Sequence, residues 1–113
     1  MKDYKLGEFE EIVLLTVGML HKEAYGVAIK DKIESQAKRS VSVGALQSAL
    51  RRMEQKGYLS SQPGEPNAQR GGKPKLFFSI TAYGLKALQH SKDLRNELWN
   101  AIPQEAHEFK YSW

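Results

Sequence analysis

Residues 42–57 read SVGALQSALRRMEQKG, and the fold turns on how that stretch is placed. Ser42 offers a side-chain oxygen to the first free backbone N–H groups of a helix, so it is an N-cap candidate. Gly57 can end the helix in a left-handed conformation that a Cβ would resist. At about 100° per residue, two faces separate. Val43, Leu46, Leu50 and Met53 form a narrow apolar stripe. Gly44, Ser48, Arg51 and Gln55 lie opposite, flanked by Gln47 and Arg52. Small residues near the start let such a helix sink into a groove. The amide, hydroxyl and guanidinium groups that follow can contact base edges or phosphates. An ordinary amphipathic surface helix would show a similar solvated face, so the neighbouring sequence has to decide.

The chain has 113 residues and 41% hydrophobic residues, enough for one domain with a modest core. Its formal net charge is +4, which permits a polyanionic partner without requiring one. The charge is uneven. Residues 1–11 set Lys2 and Lys5 against Asp3, Glu8, Glu10 and Glu11. Residues 38–75 set Lys38, Arg39, Arg51, Arg52, Lys56, Arg70, Lys73 and Lys75 against Glu54 and Glu65. The basic excess therefore sits around the 42–57 helix. With no cysteine, there is no disulfide framework and no thiolate metal site. No apolar run has membrane-spanning length, and the start lacks a signal-peptide pattern. The expected location is the cytoplasm.

Upstream, Leu6–His21 is apolar on nearly all sides from Ile12 to Leu20, which calls for burial on both flanks. Phe9, Val13 and Leu20 group on one side, with Leu14 far round from them. In so small a domain a second subunit is the readiest cover for that second side. Ala24–Lys38 reads as a further helix with Val27, Ala28, Ile33 and Ala37 on a weak apolar face. Tyr25-Gly26 stands at its start, where free N–H groups can hold a phosphate and the Tyr25 hydroxyl can add a donor. Packing of Tyr25 on the core is the equal alternative. Arg39-Ser40-Val41 joins this helix to the next. Two helices so joined, the second with an Arg-bearing outer face, have helix-turn-helix spacing.

After Gly57 the period changes. Tyr58–Gln62 and Lys75–Ile80 are short β-type runs, and PGEPNAQRGGKP between them reads as a loop at a hairpin tip. Its Arg70 and Lys73, with Lys75, make a slender positive tip suited to a minor groove or a phosphate ridge. Thr81 then caps a last helix running up to Pro103, roughly 33 Å long. Leu85, Ala87, Leu88, Leu94, Leu98, Trp99 and Ile102 occupy one half of its surface. Its far end projects past the domain that starts it, so its apolar half needs a partner chain. Gln104–Trp113 reads as a frayed tail.

The order helix, helix, recognition helix, two-stranded wing is a winged helix-turn-helix. The fold class expected is mainly α with a small β wing, spanning residues 1–80, followed by a C-terminal dimerisation helix at 81–103 and a tail at 104–113. Here the chain also resembles the PadR-like transcriptional regulators. The resemblance is carried by LGEFEEIVLL at 6–15, YG at 25–26, SVGALQSALRRMEQKGYL at 42–59, RGGKPKLFFSIT at 70–81, and Gly84 with Leu88. Where that family usually has Tyr in the middle of the recognition helix, this chain has Gln47. The single helix after the wing is similar to the short subfamily. The resemblance implies a dimeric bacterial repressor, often released by small phenolic or drug-like molecules, with an aromatic residue of the last helix stacking on planar ligands. Trp99 is the candidate, about a turn later than the family position.

The expectation is therefore sequence-specific binding of double-stranded DNA by a homodimer, with a planar aromatic small molecule as a candidate effector. Gln47, Ser48 and Arg51 are the expected base readers, with Gly44 giving close approach. Tyr25, Lys38, Ser42, Arg52, Arg70, Lys73 and Lys75 are the expected phosphate contacts. Phe9, Leu14, Leu94, Leu98, Trp99 and Ile102 are the expected dimer interface. A protein-interaction winged helix is the alternative, and the basic excess at 38–75 speaks against it. Catalysis is not indicated. His21, His90 and His107 have no ligand spacing, and Glu10-Glu11 sits at a helix start, where carboxylates favour the dipole. No metal or cofactor is expected.

Overall fold

In the computed structural model, which describes residues 4–66 and 74–109, five helices and one hairpin follow in the order α1 (Glu8–Leu20), α2 (Gly26–Gln36), α3 (Val43–Gln55), β1 (Leu59–Pro66), β2 (Pro74–Ile80), α4 (Ala82–Asn100) and α5 (Gln104–Phe109). A 3₁₀ turn at His21–Glu23 joins α1 to α2. This is the mainly helical fold with a small antiparallel sheet expected from the sequence.

Helix α3 starts and stops as its sequence requires. Ser42 Oγ accepts from the Ala45 N–H at 3.0 Å, and Gly57 takes a φ of 85°. Leu46, Ala49, Leu50 and Met53 are buried. Val43, expected among them, is exposed. As the first helical residue it overhangs the start of the stripe rather than lying over the core.

The core is built by α1, α2 and α3, with the base of the hairpin and the start of α4 closing it. Val13, Leu14 and Val17 of α1 and Ile29 and Ile33 of α2 are fully or almost fully buried. Two expectations are corrected here. Leu14 is 0% exposed, so it belongs to this chain's own core and is unavailable to a partner subunit. The weak face assigned to α2 is rotated: Ile29 and Ile33 are buried, whereas Val27 is exposed. Leu15 and Met19 of α1 remain exposed, so one flank of α1 is left uncovered within the described residues, as expected of a side that calls for a second subunit.

The hairpin pairs Leu59 with Ile80 and Ser61 with Phe78, and its register slips between Pro63 and Pro66. The strands run further into the Pro-rich segment than expected, to Pro66 and from Pro74. Proline is tolerated there because β1 has one edge facing away from the sheet, where a missing N–H breaks no ladder bond. Strand β2 is held on its other side by a bridge from Phe77 to Tyr25. Gln104–Phe109, expected as a frayed tail, opens as the short helix α5. Tyr111 and Trp113 lie outside the described residues.

Two contacts set α1 and α4 against this core. Glu10, the third residue of α1, accepts from the Gly7 N–H at 3.1 Å, one half of a capping box. Its other oxygen takes Arg52 Nε at 3.0 Å and Lys56 Nζ at 3.4 Å from the end of α3. Burial by itself would raise the Glu10 pKa; the Gly7 N–H, Arg52 and Lys56 outweigh it and hold the carboxyl below its ordinary value. At α4, Thr81 Oγ1 donates to the Gly57 carbonyl at 2.6 Å and accepts from the Gly84 N–H at 3.0 Å. Gly84, the third residue after this cap, lies against the Tyr58 backbone, where an added Cβ would stand 2.1 Å from the Tyr58 carbonyl oxygen.

Two outcomes follow. Gly84→Ala must push α4 off the Tyr58 backbone and should cost about 1–3 kcal/mol, read as a lower denaturation midpoint at unchanged slope. Glu10→Gln should cost about 1–2 kcal/mol, a modest figure because Arg52 and Lys56 are partly screened by water. The folded-state pKa of Glu10 is lowered, so its stabilisation is complete above the ordinary value of 4.5 and is lost as pH falls through the folded value. Denaturant titrations of wild type and Glu10→Gln should differ by a constant amount at neutral pH and converge as pH falls below 4.5 through the folded value.

Candidate nucleic-acid interface

The turn between α2 and α3 fixes how α3 is presented. Glu34, near the end of α2, accepts from the Val41 N–H at 3.0 Å and from Lys30 Nζ at 3.1 Å. Those two donors, the Val41 amide first, hold its carboxyl below the ordinary range. Lys38 closes α2 with a φ of 54°, a left-handed position that a side chain tolerates at some cost. Arg39 pairs with Glu8 at 3.0 Å, and its guanidinium lies 5.3 Å from the centre of the Phe9 ring. The turn is therefore braced against both α1 and α2, and Phe9 is half-covered from within the chain.

With its inner stripe buried, α3 turns Gly44, Gln47, Ser48, Arg51 and Gln55 outward, all exposed. Among the described residues, the side chains of Gln47, Ser48, Arg51 and Gln55 make no hydrogen bond or ion pair. Around Gly44 the space is open, with nothing within 4 Å of an added Cβ. Arg52 stands differently. Expected at a phosphate, it faces α1, with its Nε committed to Glu10, and so braces α3 from behind.

The wing is tied to the same unit at two points. Its Phe78 N–H donates to the Ala24 carbonyl at 2.8 Å, and Ser61 Oγ donates to Glu54 of α3 at 2.6 Å. Tyr25 meets Phe77 edge-on at 5.5 Å, and Lys75 Nζ sits 3.9 Å above the Tyr25 ring. Packing is thus the role the geometry gives the Tyr25 ring, the second of its two sequence readings. Lys75, the second residue of β2, lies towards the loop end of the hairpin; Arg70 and Lys73 lie outside the described residues. Between α2, α3 and β2 runs an open groove of about 460 Å³ with Gln47, Arg51 and Lys75 in its wall.

The structure brings Lys38, Ser42, Gly44, Gln47, Ser48, Arg51 and Lys75 onto elements of one braced unit. It keeps α4 apart from them. Glu11 of α1 accepts from Ser91 and lies 3.4 Å from Arg95, anchoring the middle of α4. Residues 92–100 are nonetheless all exposed, with Leu98 and Trp99 each 61% accessible. The helix spans 19 residues, about 28 Å, somewhat shorter than expected. Sequence reasoning missed two positioning residues, Glu10 and Glu11, by treating both as dipole partners. The available signal was the spacing Gly7 to Glu10, which fits a capping box. Among the described residues no three metal-ligating side chains cluster, and no helix is long and apolar enough to cross a membrane.

Comparison with known proteins agrees with this architecture. The sequence profile of the transcriptional regulator PadR-like family matches residues 14–90. Among solved structures, a PadR-like transcription factor from Bacteroides fragilis is 28% identical, with a TM-score of 0.69 over 83% of this chain and 85% of that one. A PadR family transcription regulator from Clostridium difficile R20291 is 20% identical, with a TM-score of 0.68 over 87% and 98% of the two chains. A third, from Eggerthella lenta DSM 2243, is 23% identical, with a TM-score of 0.64 over 84% and 82%. No curated protein matches the chain. The family is one of transcription regulators rather than enzymes, and its profile covers the second half of α1, the helix-turn-helix, the wing and the first half of α4: the chain belongs to the PadR-like family of transcriptional regulators.

Proposed function

We propose that this chain is a cytoplasmic repressor that binds a specific double-stranded DNA sequence as a two-fold homodimer. The observation that carries the reading is the outward face of α3, whose polar side chains have no partner within the described chain while the opposite face is buried. Each subunit would lay Gly44–Gln55 in a major groove, with half-sites about one helical turn apart. Gln47, Ser48 and Arg51 would read base edges, and Gly44 would let the helix approach closely. Ser42, Lys38 and the wing residues Arg70, Lys73 and Lys75 would hold phosphates, with Tyr25 supporting Lys75.

The winged domain at 1–80 and the helix at 81–103 would divide the work. Leu94, Leu98, Trp99 and Ile102 are large apolar side chains left exposed on or just after α4. Together with Leu15 and Met19 on α1, and with Phe9 at the margin, they form surface that a second copy can cover. A stretch of α4 so exposed is unfavourable in an isolated chain. The angle between paired α4 helices would set the half-site spacing. A planar aromatic molecule stacked on Trp99 would then change DNA affinity only through its differential affinity for the two dimer shapes.

Binding and solution measurements check these assignments. Arg51→Ala should cost about 1–3 kcal/mol on a selected duplex and relax the preference at one base pair. Neutralising Arg70, Lys73 and Lys75 together should weaken binding to every duplex and flatten the salt slope by about one unit per lost phosphate contact; an unchanged slope removes the wing from the interface. Small-angle scattering should give the mass of a dimer, and Leu98→Glu with Trp99→Glu should give a folded monomer with much weaker operator binding. Planar aromatic compounds should quench tryptophan fluorescence in wild type and not in Trp99→Ala; equal quenching of both removes Trp99 as the effector contact.

A further inference from the structure

The DNA-facing groove carries a feature that phosphate binding does not use. Three aliphatic side chains line it and stay open to solvent: Val43 at the first position of α3 and Val27 near the start of α2, each 57% exposed, and Leu76 of β2, 47% exposed. Gln47 and Arg51 continue the same wall, one and two turns along α3. Leu46, Leu50 and Phe78 form its floor and are already buried.

Exposed aliphatic groups gain nothing from a phosphate or a sugar hydroxyl. They gain from burial against another apolar group. In the major groove, duplex DNA presents one such group, the C5-methyl of thymine; the remaining groups on the base edges are hydrogen-bond donors and acceptors. Residues at the start of a recognition helix are those that reach base edges. Val43 occupies that position, beside the polar readers. Of the charged groups around the groove, Lys30 is paired with Glu34 and Glu54 accepts from Ser61, which leaves Arg51 and Lys75 to match the negative potential of a duplex.

Resting on the DNA-binding reading above, we infer that Val43 reads the C5-methyl of thymine, with Val27 and Leu76 closing the apolar pocket around it. The bound sequence would then carry thymine within reach of the α3 N-terminus, next to the bases read by Gln47 and Arg51. Discrimination would come from excluded water rather than from a hydrogen bond, so uracil, which keeps the same donors and acceptors and lacks the methyl, is the diagnostic base.

The probe is a duplex recovered by the protein from a random pool, synthesised once with thymine and once with deoxyuridine at every thymine position. Both copies are titrated at one fixed salt concentration. Burial of a methyl-sized group corresponds to about a fourfold change in affinity. Wild type should bind the thymine copy about fourfold more tightly for each methyl contacted. Val43→Ala should bind the thymine copy more weakly and lose most of the thymine–uracil difference, which separates a direct contact from an effect of uracil on duplex flexibility. Val43 is solvent-exposed, so this variant should keep the fold, as circular dichroism checks; should it not, equal affinity of wild type for the two copies still overturns the inference. Equal affinity of wild type for the two copies overturns the inference and leaves DNA binding standing. A thymine preference undiminished in Val43→Ala likewise overturns the assignment to Val43. Failure to recover any duplex from the pool overturns both readings together.

Discussion

Burying one side of α3 determines everything the other side can do. Leu46, Ala49, Leu50 and Met53 are inside the core, so Gly44, Ser48, Arg51 and Gln55 have nowhere to point but outward. An apolar stripe fixes rotation about the helix axis and does little against sliding or tilting. Those motions are checked by polar contacts at the ends. Glu10 takes Arg52 and Lys56 at the C-terminal end, and Ser42 caps the N-terminal end. Glu34, holding the Val41 amide, sets the approach from α2. Ser61 on Glu54 and Phe78 on Ala24 register the wing to the same frame. A surface meant to match a rigid groove has to be held this way, because a misplaced side chain forfeits its contact.

Beyond that frame the chain is built differently. Helix α4 is anchored over its first turns, where Gly84 lies against the Tyr58 backbone and Tyr83 stacks on Tyr58 at 5.1 Å. Tyr4 packs on Tyr83 and His90 from the other side. Past Ser91 the apolar side chains of the helix, Leu94, Leu98 and Trp99, are exposed. The division between a braced head and a helix with exposed apolar side chains is the physical basis for proposing that two heads are joined through their last helices.

Much of this was legible from residue types and spacing. The start and end of α3, the cap at Thr81 and the change of period after Gly57 are local signals, and local signals survive in sequence. The expectations that failed depend on tertiary neighbours. Leu14 and Leu15 are adjacent and equally apolar, yet one is fully buried and the other exposed; only the direction from which α2 and α3 approach α1 separates them. Val43 and Leu46 share a stripe on a helical projection, but Val43 sits at the helix end, past the edge of the core. The carboxylate of Glu10 meets partners 42 and 46 residues away, a distance no helical pattern encodes. Strands running into a Pro-rich segment were missed because the composition marked a turn, while a free edge tolerates proline. Gln47, Ser48 and Arg51 were identifiable as outward-facing; which bases they meet is a property of the DNA.

The most direct measurement is a nuclear magnetic resonance titration of the isotope-labelled protein with a duplex recovered from a random pool, mapping which backbone amides shift. Saturable shifts concentrated on residues 42–55 and on the wing strands, with the amides of 92–100 largely unmoved, are predicted if the exposed face of α3 is the surface that enters the groove. Shifts confined to α4, or no shifts at low ionic strength, would contradict it.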